Sequence, residues 1–324
     1  MAWDEKGETP GDAPPPTDSA FERRLVERIS FEFLREQRRA RRWGIFFKLL
    51  AVAYVTVLIV LSLPRDGRMH PFSGDRVTAL VDLQGIIAHG AEASADNVVH
   101  GLRAAFEDGA TAGVILRINS PGGSPVQAGY INDEIYRLRE EHPDIPLYAV
   151  IEDICASGGY YVAAAADRIF ADKASIVGSI GVRLDSFGFV ESMDKLGVER
   201  RLLTAGENKG FLDPFLPLEP GHVEHVRKML GEVHEQFINT VLKGRRDKLA
   251  DNPELFSGLF WSGERSLALG LIDDFGSAGR VAREVIGAED IVDFTYRDYS
   301  LESILKRSGA SILQRFTGAS APAW

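Results

Sequence analysis

Cysteine is nearly absent: the 324 residues hold one, Cys155. A single thiol excludes an intrachain disulfide and any multi-cysteine zinc site. It fits an oxidising or a reducing compartment equally, so it places the protein in neither. A basic surplus is missing as well. The chain carries 37 Lys and Arg against 47 Asp and Glu, a formal net charge of −10. Binding to phosphate backbones needs a positive surface, so no nucleic-acid partner is expected. The 32 glycines follow no period, which excludes a collagen-like chain. No metal-binding or cofactor-binding motif is visible, and no internal repeat.

What is present is ordinary globular composition, 45% hydrophobic and 26% charged. The length fits about two domains, or one domain with appendages. Residues 1–20 are rich in Pro, Gly and small polar residues and bury too little to order themselves. Phe21, Leu25, Ile29 and Phe33 recur every fourth position, as an amphipathic helix requires, and lead into Arg38, Arg39, Arg41 and Arg42. Together, residues 1–42 read as a partly disordered tail.

Residues 43–63 (WGIFFKLLAVAYVTVLIVLSL) contain one charge, Lys48, close enough to the basic end to snorkel. As a helix this stretch would reach about 31 Å, the thickness of a bilayer core. A buried core helix would be shorter and would not follow four arginines. A cleaved signal peptide would have a shorter polar lead and a small-residue cleavage site. The segment is therefore expected to be a retained transmembrane helix. Five arginines in 35–42 against Arg65 and Arg68 beyond it place the N-terminus in the cytoplasm. The remainder would be exported, in a bacterium to the periplasmic face of the inner membrane. Residues 64–74 read as a linker, 75–296 as the exported domain and 297–324 as a loose C-terminal extension.

From Val77 onward apolar runs alternate with helical patterns. Strands are expected at 77–83, 113–118, 146–151, 168–171 and 199–204, and helices at 95–108, 124–141, 157–166 and 187–196. A long helix is expected over 219–249. A closing unit has helix 264–269, strand 271–274 and helix 278–286. Strands that are apolar throughout and alternate with helices argue for an α/β fold with a largely parallel, covered sheet.

In such sheets ligands gather at the carboxyl ends of the strands. Two strand-to-helix loops there are rich in Gly and Ser: Asn119-Ser120-Pro121-Gly122-Gly123-Ser124 and Cys155-Ala156-Ser157-Gly158-Gly159-Tyr160-Tyr161. Backbone N–H groups at such turns can hold developing negative charge. Ser157 is then a candidate nucleophile, with the N–H of Gly158 and of Gly122 or Gly123 as oxyanion donors. Read alone, Ser157 is an ordinary helix N-cap, as serines at helix starts usually are.

A nucleophilic serine needs a base. None of the seven histidines (His70, His89, His100, His142, His222, His225, His234) lies in a Gly-rich strand-end loop, so a Ser-His-Asp triad is not indicated. A desolvated lysine can serve instead, because burial disfavours the ammonium. Lys209, between Gly206 and Gly210 with apolar neighbours beyond, is one candidate. Lys195, whose context reads as an exposed helix end, and Lys173, at a strand end, are competitors.

Three motifs in order, Ile118-Asn119-Ser120-Pro121-Gly122-Gly123-Ser124, Ala156-Ser157-Gly158-Gly159-Tyr160-Tyr161 and Ile176-Val177-Gly178-Ser179-Ile180-Gly181-Val182, resemble the signal peptide peptidase A family, in its half-length form. The resemblance spans about residues 75–295. It implies a membrane-anchored serine endopeptidase with a Ser-Lys dyad. Ser157 would be the nucleophile and Lys209 the general base, with Ser179 orienting that lysine. Gly158 and the Gly122–Gly123 pair would supply the oxyanion hole, with Gly123 preferred. Asn208 stands where the family often has an aromatic residue. The resemblance also implies an α/β fold of crotonase and Clp-protease type, built of repeated ββα units behind one transmembrane helix. It implies a homo-oligomer of about eight copies in which the serine of one subunit meets the lysine of the next. The substrates would be cleaved signal peptides, lipid would be met through residues 43–63, and no cofactor would be used.

Two other classes share some of these features. A crotonase-fold acyl-CoA enzyme would have paired oxyanion loops but no need of an anchor or a serine nucleophile. A catalytically silent membrane scaffold would need no Ser157, Lys209 and Ser179 together. Around the site, Glu152 and Asp153 read as turn acids and Cys155 as a small buried residue. Tyr160, Asp185 and Ser186 are candidates to line a groove.

Overall fold

A computed structural model describes residues 41–57 and 76–297. The chain divides into two units, Met1–Met69 and His70–Trp324. In the first, residues 41–57 form a helix, α1, with every side chain exposed. Among the described residues no helix is long and apolar enough to cross a membrane. Of the expected span, residues 43–57 are helical and 58–63 lie outside the described residues. The expected tail 1–42, linker 64–74 and extension 297–324 also lie outside them, save residues 41, 42 and 297.

The second unit is built on one sheet of α/β type. Strand β1 (Val77–Gln84), helix α2 (Ala95–Glu107), strand β2 (Thr111–Ser120), helix α3 (Pro125–Glu141) and strand β3 (Leu147–Ala156) open it. Helix α4 (Gly158–Ala163), strands β4 (Arg168–Ala171) and β5 (Ile176–Gly178), and helices α5 (Val190–Leu196) and α6 (Pro220–Arg245) come next. Strand β6 (Phe260–Ser262), helix α7 (Gly263–Ala268), strand β7 (Asp274–Phe275), helix α8 (Ala278–Arg280, continued by a π turn over Val281–Ile286) and strand β8 (Ile291–Asp293) complete it. The sheet order is β6-β5-β3-β2-β1-β8, with β4 between β3 and β7 off this path. All pairings are parallel except that of β5 with β6.

Parallel strands must be covered on both faces, and the sequence supplies the cover. One face of the sheet (Leu83, Leu116, Ile118, Ile151) packs under α2 and α3. Val98, Leu102, Ala105 and Phe106 of α2 and Ile131, Ile135 and Leu138 of α3 recur at the helical period and are buried. The other face (Leu80, Ile115, Val150, Phe170) is capped by Val281 and Ala282. Helix α3 starts where Ser124 Oγ accepts the N–H of Gln127 and Pro125 takes the first helical position.

The expected elements at 77–83, 95–108, 113–118, 124–141, 146–151 and 168–171 are present within a few residues. Residues 199–204 form no strand. Among the described residues no strand pairs with them, Leu203 is 96% exposed, and Arg200 and Arg201 bond within the loop to Asp213 and Glu199. Helix 157–166 is shorter, ending at Ala163, and the long helix ends at Arg245 rather than 249. The strand expected at 271–274 begins only at Asp274, because the N–H groups of Leu271 and Ile272 are both bonded to Ser266 O. Strands β5, β6 and β8, three residues each, have no signal in the alternation pattern.

Candidate active site

The site is made where β3 outruns its neighbour. Pairing steps from Ile118↔Ile151 to Ser120↔Cys155, so β3 carries two more residues than β2 over this step. Such bulges bend a strand and re-aim the residues after them. Below the bulge β3 pairs with β4 through Tyr148–Val150; above it, with β5 through Ile154–Ala156. The exposed Glu152 and Asp153 occupy the change of partner. Asp153 accepts a hydrogen bond from Asn119 at 3.2 Å, and Glu152 lies 3.6 Å from Arg117. Both lie inside strand β3, not in a turn, and both line a cavity beside the sheet.

Ser157 comes directly after β3. Its φ of 51° and ψ of −121° lie where L side chains are strained. The backbone is held there by a 2.8 Å bond from Ser157 N–H to Gly178 O on β5. Its hydroxyl makes no capping bond to α4, although it precedes that helix directly. The plain N-cap reading is thereby excluded. The side chain is half-buried and its oxygen is unengaged among the described residues.

Two backbone amides stand beside it. Gly158 is the first residue of α4, so its N–H has no intrahelical acceptor. Gly123 is bridged to Ile87, but the bridge runs from Ile87 N–H to Gly122 O and from Ser124 N–H to Ile87 O, which leaves the Gly123 N–H out of it. The two are close: a Cβ placed on Gly158 would sit 3.2 Å from Gly123 N. Gly122 plays a different part. Its N–H is taken by Ser120 Oγ at 3.1 Å. It packs so tightly on the nucleophile's loop, at φ +98°, that a Cβ would fall 2.6 Å from Gly158 N and 2.7 Å from Ser157 Cβ. Of the two glycines, Gly123 therefore has the free donor and Gly122 the close approach. Ser120, whose hydroxyl also donates to Gly85 O at 2.6 Å, ties this loop to the end of β1.

Ser179 is the residue after β5, as Ser157 is after β3. Its φ is 53° and its N–H donates to Leu259 O at 2.7 Å. Leu259, just before β6, is thus a positioning residue that no sequence pattern marked. Cys155 is buried, and burial pushes its thiol well above the ordinary range, so it offers no thiolate beside Ser157. Tyr160 does not line a groove. It is buried, its hydroxyl donates to Leu271 O at 2.8 Å, and burial raises its pKa. Asp185 and Ser186 are exposed.

Lys209 lies in a turn closed by its own N–H to Gly206 O at 3.2 Å. It is exposed, and its amine makes no hydrogen bond or ion pair among the described residues. Within one chain, then, Ser157, Gly158, Gly122, Gly123 and Ser179 stand at adjoining strand ends, and the Lys209 amine bonds to none of them. Of the competing lysines, Lys173 lies 5.6 Å over the Phe275 ring and Lys195 is exposed in the last turn of α5. Among the described residues no group of side chains could hold a metal ion.

A serine freed of its cap, strained, and set between two unpaired amides defines a serine-hydrolase type of site. Residues 139–290, which include Ser157, Ser179 and Lys209, match the family model for peptidase family S49, and the chain belongs to this family. It is 30% identical over 199 residues to the putative protease slr0021 of Synechocystis sp., covering 61% of this chain and 69% of that one. It is 30% identical over 205 residues to the putative signal peptide peptidase SppA of Enterococcus faecium, covering 63% and 58%. A stretch of 186 residues is 48% identical to a protein of Brucella abortus named Na(+)/H(+) antiporter NhaA, covering 57% of this chain. The chain spans about a quarter of the length of that relative.

Proposed function

We propose that this protein is a serine endopeptidase that hydrolyses remnant signal peptides, and other exported peptides of like character, through Ser157 and Lys209. The observation that carries the reading is the uncapped hydroxyl of Ser157, held at φ 51° beside the free N–H groups of Gly123 and Gly158. In the reaction the neutral Lys209 amine takes the Ser157 proton as Oγ attacks the peptide carbonyl. The oxyanion rests on Gly123 and Gly158. The C–N bond then breaks, the amine leaving with the proton from Lys209. Water, deprotonated by the same amine, hydrolyses the acyl-enzyme and restores both groups. Ser179 orients the lysine.

Lys209 reaches Ser157 of a neighbouring copy in a homo-oligomer of about eight. Its free amine supports this. So does the segment around it, where Leu184, Phe187, Leu196, Leu203 and Leu218 are all exposed on one stretch of chain. Apolar surface of that extent fits burial against a partner. Residues 43–63 anchor the protein in the bacterial inner membrane, with the N-terminus cytoplasmic and the catalytic unit periplasmic, where apolar peptide remnants collect. The test is cleavage of an apolar peptide by the full chain. Ser157→Ala and Lys209→Ala should each abolish it with folding intact; full activity in either variant overturns the mechanism.

A further inference from the structure

We propose that His222 is a positioning residue for Lys209, fixing from helix α6 the turn that carries the base. The inference rests on the reading of Lys209 given above. Lys209 sits in a turn in which Phe211 N–H donates to Asn208 O at 3.1 Å. The residues bracketing the lysine both rest on one imidazole. Asn208 Oδ1 lies 3.3 Å from His222 Nε2; the oxygen accepts, so Nε2 carries the proton. The Phe211 ring meets His222 edge-on, centroids 5.1 Å apart. It also meets His225, one turn further along α6, at 5.7 Å.

This matters because little else holds the turn. Residues 203–209 are all exposed, whereas the His222 side chain is 18% exposed. Asp213 and His222 both line a cavity of about 300 Å³, and Asp213 pairs with Arg200. Glu219 Oε2, on the last residue before α6, is 3.8 Å from His222 Nε2. The charged groups near the imidazole are thus Glu219 and Asp213 with Arg200, and the neighbouring titratable ring is His225. A general base is useful only within hydrogen-bond reach of its proton, and displacement by about 1 Å can cost 100-fold. An imidazole that clamps the residues on both sides of Lys209 supplies that placement without touching substrate.

The test compares His222→Ala, His222→Gln and Asn208→Ala with the full-length parent and with Lys209→Ala, on an apolar fluorogenic peptide. His222→Ala should lower kcat about 10- to 100-fold with KM little changed. His222→Gln, whose amide N–H can still donate to Asn208, should recover most of the loss. Should His222→Ala unfold, Asn208→Ala, at an exposed position, carries the same expectation. A parental kcat in both His222→Ala and Asn208→Ala, beside an inactive Lys209→Ala, overturns this inference alone. An active Lys209→Ala overturns the assignment of the base itself.

Discussion

Ser157 and Ser179 occupy matching places on neighbouring parallel strands and share an unusual backbone, with φ of 51° and 53°. Each comes directly after one member of the last paired couple, Ala156↔Gly178, and Ser157 N–H donates to Gly178 O. The two serines leave the sheet from adjacent strand ends. Only the pairing of β3 with β5 above the bulge brings them there, which ties the chemistry to a local irregularity in the sheet.

Strain at Ser157 has a measurable consequence. A non-glycine residue in this region costs about 1–3 kcal/mol. Glycine would relieve it, less about 0.5–1 kcal/mol of added freedom in the unfolded chain. Ser157→Gly should therefore unfold at a higher temperature than the parent while cleaving nothing. Thermal unfolding measured alongside peptide cleavage checks both halves.

Gly122 admits no side chain. A Cβ there would collide with Gly158 N, Ser157 Cβ and Ala156 O, all within 2.8 Å, and none of these is a flexible chain end. Gly122→Ala should displace the oxyanion loop from the nucleophile and reduce kcat at least 100-fold, the order of one lost oxyanion donor. Gly129→Ala, on α3 with nothing within 4 Å of its Cβ, should leave cleavage unchanged.

If Ser157 of one copy works with Lys209 of another, two dead variants can repair each other. Ser157→Ala and Lys209→Ala, co-assembled in equal amounts, should regain about a quarter of parental activity by random assortment around a ring. A dyad closed within one chain gives none.

The fold below the site depends on charge. Arg245, with no exposed side-chain surface, donates to Asp273 and to Gly270 O. Burial by itself would raise the Asp273 carboxyl, but hydrogen bonds from Lys248 and Arg245 outweigh it and hold the group below its usual range. Asp273→Ala strands a buried guanidinium and should cost about 3–5 kcal/mol. Glu134 is drawn down to about 2 by hydrogen bonds from Arg137 and Arg103. Both carboxyls have lowered folded-state values, so their contribution is complete above the unfolded value and is lost as pH falls through the folded one. For Glu134 that window runs from about 4.5 down to about 2. Denaturant unfolding at falling pH should show this loss in the parent and a shallower one in Glu134→Gln.

Much of this architecture is legible in the sequence. Strands β1 to β4 announce themselves because both faces are buried and their residues are largely apolar, and the Gly-rich ends of β2 and β3 mark where the site must be. Other features have no local signature. Strands β5 and β6 are three residues each and exist through their pairing. The bulge in β3 is a matter of register, which only the partner strand defines. That Tyr160 of the Tyr-Tyr pair points inward depends on Leu271, which is 111 residues away. The run 199–204 reads as a strand because it is apolar in part, but among the described residues no strand pairs with it. In the proposed mechanism, the meeting of Ser157 with Lys209 belongs to the assembly, and no pattern within one chain encodes it.

The most direct test is covalent. The full chain is treated with a serine-directed phosphonate, digested, and the modified peptide located by mass spectrometry. The expected result is one adduct, on Ser157, formed in the parent and slowed severely in Lys209→Ala. An adduct on another residue, or labelling of the parent at no position, would contradict the assignment of Ser157 as the nucleophile.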